Sequence, residues 1–118
     1  MSARPMKTSI WSRRSARAKA TAASDVLDFT DIPNVGVATA GDFALLGFSA
    51  PRQLAGQDPL ALYDRLCVLT GCRQDPCVAD VFLAAVRFME GSAPQPWWHY
   101  TPERKRLFAT RSESTPRR

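Results

Sequence analysis

Two aspartate–proline pairs constrain the fold of this chain more than any other feature of its sequence. Asp58 precedes Pro59, and Asp75 precedes Pro76. In each pair the carboxylate is suited to accept hydrogen bonds from the free N–H groups of a helix's first turn. Proline fits the first helical position because its missing N–H costs nothing there. Each pair therefore predicts the start of an α-helix.

The residues that follow each pair have the apolar spacing of a helix. The first predicted helix ends at Gly71, and the second runs over residues 76–90. The second pattern leaves Asp80, Arg87 and Glu90 for solvent. The apolar faces consist of Leu62, Tyr63, Leu66, Cys67 and Leu69 in the first helix and of Cys77, Val78, Val81, Phe82, Ala85, Val86 and Met89 in the second.

The chain before these two helices has helical punctuation as well. We expect a short helix through Phe29 that Pro33 stops, a helix over residues 37–46 that Gly47 closes, and a single turn over residues 51–54. No segment alternates apolar and polar residues as a strand does. The sequence therefore predicts an all-α fold, a compact domain of four to five helices.

The net charge of +5 is distributed unevenly along the chain. Residues 1–24 have six bases and no acid, residues 25–102 have four bases against nine acids, and residues 103–118 have six bases against two acids. We predict a folded domain over residues 25–102 between a disordered basic N-terminal arm (1–24) and a disordered basic C-terminal tail (103–118). Attraction to phosphate would come mainly from these two segments.

Hydropathy and the N-terminal residues indicate a location. No apolar run is long enough to cross a membrane, and the N-terminus lacks the apolar core of a secretory signal. The Arg- and Ser-rich start also fits a mitochondrial transit peptide, although it has few residues for an apolar face. We expect a cytoplasmic protein with no membrane contact.

Three cysteines and the single histidine, His99, are candidate ligands for zinc. Cys67, Cys72 and Cys77 recur at five-residue intervals, and four such ligands suffice for zinc. They lack the two-residue-spaced pairs of structural zinc sites, and Cys67 and Cys77 fall on apolar helix faces, so buried thiols are expected. A disulfide from Cys72 to either neighbour ranks lower still in a reducing compartment. We expect no metal, no cofactor and no enzymatic activity, because no catalytic set is recognisable.

A tight turn joins two of the predicted helices and consists of Ile32-Pro33-Asn34-Val35-Gly36. Asn34 and Gly36 both tolerate positive φ. This turn resembles the helix-hairpin-helix motif, and the match also includes Leu27, Phe29, Ala40, Leu45, Gly47 and Phe48. In that motif the N–H groups that begin the second helix contact a DNA phosphate without reading a base. Free donors and the positive end of the helix dipole favour an anion there.

The resemblance implies phosphate donors at Gly36, Val37 and Ala38. Two features depart from the motif: Asn34 replaces its first glycine, and no basic residue follows the turn. Asp31 and Asp42 flank the turn and would repel phosphate. DNA contact through the hairpin and a purely structural hairpin therefore both remain open. The candidate nucleic-acid-binding residues are Asn34, Gly36, Val37, Ala38 and Thr39 of the hairpin and Arg13, Arg14, Arg17 and Lys19 of the arm.

A wider resemblance covers residues 27–100. The chain is similar to a small bacterial family called pathogenicity locus, some of whose members are labelled mitomycin-resistance proteins. The resemblance implies a helix-hairpin-helix fold and a relation to DNA. The segments that carry it are Leu54-Ala55-Gly56-Gln57-Asp58-Pro59, Leu62-Tyr63-Asp64-Arg65-Leu66-Cys67, Asp75-Pro76-Cys77-Val78 and Trp97-Trp98.

These observations predict a non-enzymatic accessory protein that binds double-stranded DNA without sequence preference, through the hairpin and the basic tails. The alternative is a protein-interaction module with a structural hairpin, which docks through its acidic face or through Trp97 and Trp98. For residues 94–100, a segment that folds back onto the core near Phe82 or Phe88 and an exposed aromatic anchor are both open.

Overall fold

The computed structural model describes the backbone of residues 18–114 and the side chains of residues 18–110. Within that range the chain forms four α-helices and no strand, so the predicted all-α fold is confirmed. The helices are α1 (Val37–Leu45), α2 (Pro59–Thr70), α3 (Pro76–Met89) and α4 (Thr101–Ser114). Single 3-10 turns lie at Ala23–Asp25, Phe29–Asp31, Pro51–Leu54 and Trp97–Tyr100.

The two aspartate–proline pairs begin α2 and α3 as predicted. The Asp58 carboxylate accepts a hydrogen bond from the Leu60 amide at 3.0 Å, and that of Asp75 accepts one from the Cys77 amide at 2.9 Å. The bond from the Cys77 amide holds the pKa of the Asp75 carboxyl below its ordinary value. Gly71 ends α2 in the left-handed region, with φ of 71°. Local capping therefore sets the position of both helices.

Helix α3 is the centre of the domain. It packs against α2, α4 and the turn at Pro51–Leu54. Its ring at Phe82 lies 5.1 Å, centroid to centroid, from the ring of Phe43 in α1. Burial of apolar side chains lowers the free energy of the folded chain, and this helix buries more of them than any other helix does. Its buried residues are Ala79, Asp80, Phe82, Leu83, Ala84, Ala85, Val86 and Phe88.

Asp80 is a buried acid, and the expectation that it faces solvent is wrong. It has no exposed surface. Its two carboxylate oxygens accept hydrogen bonds from the Thr101 hydroxyl at 2.6 Å and from Nε of Arg104 at 2.7 Å. A buried carboxylate is costly unless it is paired and hydrogen-bonded. Helix α4 supplies both partners, and it occupies a segment that the sequence predicted as a tail from residue 103.

Helix α4 has a short apolar surface that holds it against the domain. The ring of Phe108 packs on that of Tyr63 at 5.6 Å, and the Arg104 guanidinium lies over the Phe108 ring at 5.5 Å. Leu107 packs beside Leu83. The sequence predicted a tail here because charged residues outnumber apolar ones in this segment. Its short apolar face stabilises a helix only when the rest of the domain packs against it.

The short helix predicted through Phe29 in the N-terminal part of the domain is wrong. Two separate 3-10 turns lie there instead. The Asp31 carboxylate accepts hydrogen bonds from the amides of Leu27 at 3.0 Å and Asp28 at 2.9 Å. These two amides therefore donate to a side chain of the turn that follows them, and the backbone there does not continue a helix.

Part of the predicted N-terminal arm lies within the described residues. The Ala20 amide donates to the carbonyl oxygen of Asp31 at 2.8 Å, and the Ala20 side chain packs against the core. Residues 18–24 therefore contact the domain, which begins earlier than the predicted boundary at residue 25. The rest of the arm, residues 1–17, lies outside the described residues, as do residues 115–118.

Candidate nucleic-acid interface

The hairpin turn, residues 32–36, is anchored in the core. Ile32 and Val35 have no exposed surface, and the Val35 amide donates to the Ile32 carbonyl at 3.1 Å. Asn34 has φ of 74° and is the one non-glycine residue with positive φ among those described. Gly36 stays extended, with φ of −100°. The turn therefore uses the left-handed freedom predicted for Asn34 and leaves that of Gly36 unused.

The start of α1 is open. Gly36 is its N-cap residue, and no side chain caps this end within the described part of the chain. Gly36, Val37 and Ala38 are all exposed, with Val37 at 83% of its full surface, and Thr39 is half-buried. A Cβ at Gly36 would meet nothing within 4 Å among the described residues. The first N–H groups of a helix lack intrahelical partners, so donors here are open to an anion.

The Asn34 side chain faces the protein rather than a ligand. Its Nδ2 donates to the Gln95 carbonyl at 2.7 Å, and its Oδ1 accepts a hydrogen bond from the Trp97 amide at 3.1 Å. We call these two bonds the asparagine clasp. The clasp attaches the segment between α3 and α4 to the hairpin turn. Asn34, predicted to bind phosphate, thus has a side chain with structural partners.

The aromatic segment after the clasp divides between core and surface. Tyr100 is buried against Leu83 and Ala84, so this end of the segment closes the core. Trp98 is 62% exposed, and its ring meets that of Trp97 edge-on at 5.6 Å. The expected fold-back onto the core is thus found at Tyr100, whereas an anchor role for the exposed Trp98 stays a prediction. Because the clasp holds the Trp97 backbone, the exposed indole lies one residue from a contact with the hairpin.

Lys19 carries a positive charge to the base of the turn. Its Nζ donates to the carbonyl oxygens of Thr30 at 2.5 Å and Val35 at 2.6 Å. Partial burial lowers the pKa of the Lys19 amine, and the nearby Asp31 carboxylate opposes that shift. The other predicted bases of the arm, Arg13, Arg14 and Arg17, lie outside the described residues.

The two aspartates expected to repel phosphate occupy different environments. Asp31 is buried, and its carboxylate accepts two backbone hydrogen bonds. Asp42 is half-buried, and burial raises the pKa of its carboxyl. It is the sixth residue of α1, about 7 Å along the helix axis from the first. Neither carboxylate belongs to the first turn of α1, where the open donors lie.

The remaining predicted features give no second site of this kind. The three cysteines are free thiols, and His99 is exposed with its ring edge-on to Tyr100 at 4.9 Å. Among residues 18–110 no group of three or more side chains is arranged to hold a metal ion. Over the same part of the chain, no helix has both the length and the apolar surface needed to span a membrane.

The structure is that of a small all-helical protein with an uncapped helix start and an exposed tryptophan, and the sequence adds basic terminal segments. Residues 22–106 match the family model described as pathogenicity locus (Cdd1), and the chain belongs to that family. It is 46% identical over 86 residues to the mitomycin resistance protein McrB of Streptomyces lavendulae, a match that covers 73% of this chain and 82% of the relative. No solved structure matches it. The resemblance to the pathogenicity locus family predicted from the sequence is confirmed.

Proposed function

We propose that this protein is a non-enzymatic, cytoplasmic accessory protein that binds double-stranded DNA without sequence preference. In this proposal the turn at Phe29–Asp31, the hairpin turn and α1 act together as a helix-hairpin-helix element. The observation that carries the proposal is the open start of α1 at Gly36, where N–H donors and the helix dipole favour a phosphate oxygen. Donors from the backbone recognise phosphate and carry no base specificity.

The charge distribution supports different contributions to DNA binding from the hairpin and from the basic terminal segments. Residues 25–102 are net acidic, with four bases against nine acids, whereas both terminal segments are basic. Lys19 lies at the base of the turn, and Lys105 and Arg106 are exposed on α4. Long-range attraction would come from these bases, and the hairpin would add one short-range contact. Affinity would fall steeply as salt concentration rises.

A carboxylate placed at the start of α1 tests the hairpin. Val37→Glu puts a negative charge beside the donors, at a side chain that is 83% exposed. Val68→Glu is the matched control, since Val68 in α2 is 79% exposed and the charge change is the same. Binding of the full chain to a labelled duplex would be measured at several salt concentrations.

The two variants should separate clearly. Val37→Glu should weaken binding about tenfold more than Val68→Glu, the equivalent of 1.4 kcal/mol, and should lower the salt slope by about 1. Equal effects of the two variants would make the hairpin structural. No detectable binding by the unaltered chain at low salt would end the DNA proposal altogether.

The arm has its own test. Replacing Arg13, Arg14 and Arg17 together by Gln removes three charges from the N-terminal segment. If each contacts a phosphate, the slope of log K against log salt should fall by about 3. An unchanged slope would exclude the arm from the interface and leave Lys19, α4 and the hairpin as contacts.

A second candidate function rests on Trp98. Its 62% exposure and its fixed position against Trp97 are typical of an aromatic anchor for a partner protein. Full-length protein and Trp98→Ala would be used in parallel as baits in a nuclease-treated extract. A protein recovered only by the unaltered chain favours this function, and identical recovery by both counts against it.

A further inference from the structure

A groove of about 440 Å³ lies at the C-terminal end of α2, away from the hairpin in sequence, and two of the three cysteines line it. Cys67 is half-buried in the last turns of α2, and Cys72 is exposed just after the helix. Tyr63 and Arg73 complete the walls used in the argument below. A small solute can therefore reach both thiols from the same opening.

The backbone at the end of α2 brings the two cysteines together. The Cys72 amide donates to the Cys67 carbonyl at 3.2 Å, and the Gly71 amide donates to the Val68 carbonyl at 3.2 Å. With Gly71 at φ of 71°, these bonds form a Schellman motif. In that motif the side chains of the first and last residues, here Cys67 and Cys72, frequently contact each other.

The same hydrogen bond limits the separation of the two residues. Standard bond lengths along the path from Cys67 to Cys72 keep their Cα atoms within about 7 Å, and less because the path bends at the carbonyl. Disulfides span Cα separations of about 4.4–6.8 Å. The backbone therefore already holds this pair within reach of a disulfide, without any rearrangement of α2.

Both sulfur atoms contact the same residue, Gln74. The Gln74 amide donates to Sγ of Cys67 at 3.4 Å, and Nε2 of Gln74 lies 3.5 Å from Sγ of Cys72. The carbonyl oxygen of Gln74 in turn accepts a hydrogen bond from the Tyr63 hydroxyl at 2.5 Å. Gln74 thus contacts both sulfurs, one through its backbone amide and the other through its side chain.

Cys77 has a different environment and serves as an internal comparison. It lies in the first turn of α3, where its thiol hydrogen bonds with the Asp75 carboxylate, and this contact raises the pKa of the thiol. A raised pKa leaves less thiolate, which is the reactive form of cysteine. The three cysteines are therefore a pair and a single thiol.

We infer that Cys67 and Cys72 are a reactive dithiol site, which a two-electron oxidant of the peroxide or low-molecular-weight disulfide class converts to an intramolecular disulfide. With hydrogen peroxide, the exposed Cys72 attacks one oxygen, the O–O bond breaks, and a sulfenic acid and one water form. Cys67 then attacks that sulfur, the S–S bond forms, and a second water leaves. Two thiols lose two electrons and two protons, and the peroxide is reduced to two waters.

The disulfide would close a ring over residues 67–72 at the mouth of the groove. Such a bond is transient in a reducing compartment and persists while oxidant is present. This agrees with the expectation of free thiols in the resting protein, and it gives the groove a second, oxidised form. The inference is independent of DNA binding, since it involves neither the hairpin nor the tails.

The test is peroxide titration of the reduced full chain, followed by alkylation of the remaining thiols, digestion and mass spectrometry. The expected result is loss of two of the three thiols, a peptide cross-link between Cys67 and Cys72, and full reversal by dithiothreitol. The peptide map needs no variant, so it stands even where a substitution impairs folding. Glutathione disulfide in place of peroxide tests the second oxidant class.

Three variants sharpen the result. Cys77→Ser should form the cross-link as the unaltered chain does, whereas Cys67→Ser and Cys72→Ser should each form none. Continued alkylation of both Cys67 and Cys72 would overturn the inference. So would a cross-link through Cys77, dimers linked between chains, or oxidation that stops at sulfinic acid on single cysteines.

Discussion

Helices α1 and α3 differ in how many of their residues are buried. Eight of the fourteen residues of α3 are buried, whereas α1 buries one of its nine, Phe43. Val37 and Leu45 of α1 remain 83% and 51% exposed. Burial thus accounts for much of the sequence of α3 and for little of that of α1. Surface left free by the core is where a binding function is to be sought.

The single buried residue of α1 explains how the helix stays attached. The ring of Phe43 lies 5.4 Å from that of Phe29, 6.3 Å from that of Phe48 and 5.1 Å from that of Phe82. One side chain thus joins α1 to the N-terminal turn, to Phe48 three residues beyond the helix, and to α3. The comparison of the two helices depends on this ring.

The largest expected effect is therefore that of Phe43→Ala. It removes three ring contacts and leaves a cavity, so the free energy of unfolding should fall by about 3–5 kcal/mol. Urea unfolding followed by circular dichroism measures it. Leu45→Ala in the same helix is the control and should cost less than about 1 kcal/mol because Leu45 is half-exposed. Equal costs would show that α1 is not held through Phe43.

Next in size is the loss of the acid inside α3. Asp80→Ala leaves the Arg104 guanidinium, which is 13% exposed, without its partner and should cost about 3 kcal/mol. Glu103→Gln breaks the pair with Arg87 at the same helix interface, where both side chains are about one-third exposed, and should cost under about 1 kcal/mol. Similar losses in the two variants would mean that burial of Asp80 adds nothing to the pairing.

The asparagine clasp should have a smaller effect, because it is polar and partly exposed. Asn34→Gly keeps the positive φ and loses two hydrogen bonds, at about 1 kcal/mol. Asn34→Ala loses the same bonds and adds strain at φ of 74°, at about 2 kcal/mol in all. Urea midpoints provide the comparison, with tryptophan emission as a second signal near Trp97. If alanine and glycine behave alike, the backbone conformation there is not strained.

The smallest effect concerns pH and the start of α3. Asp75 has a lowered pKa in the fold, so its charge stabilises the protein above the ordinary value of 3.8, and this contribution is lost as pH falls through the lowered value. The unaltered chain should therefore melt slightly above Asp75→Asn at pH 7, and the gap should close in strong acid. A gap that stays constant across a pH series of melting curves would contradict this.

Local signals in the sequence predict much of the fold. The caps at Asp58 and Asp75, the glycine at 71 and the apolar spacing of α2 and α3 act within a few residues of each other. The structure has both helices and their caps, but the predicted packing of Leu69 is wrong, since that side chain is 47% exposed. Such features need no knowledge of the rest of the chain. The all-α class follows from them.

The features that the sequence did not predict depend on distant partners. The bonds of Asn34 reach residues 61 and 63 positions further along the chain, and those of Asp80 reach 21 and 24 positions to α4. In isolation, Asn34 resembles a turn residue and Asp80 a solvated one. At the candidate interface, the sequence predicts which residues begin α1, Gly36 and its neighbours. It does not predict that they are exposed or that the asparagine clasp forms.

The position of Asp80's partners has a consequence for synthesis of the protein. The ribosome releases α3 before Thr101 and Arg104, so a nascent chain ending near residue 100 holds an aspartate in its central helix with neither partner available. Burial of that carboxylate without its partners would be costly. Close packing around Asp80 is therefore expected to follow the synthesis of Thr101 and Arg104.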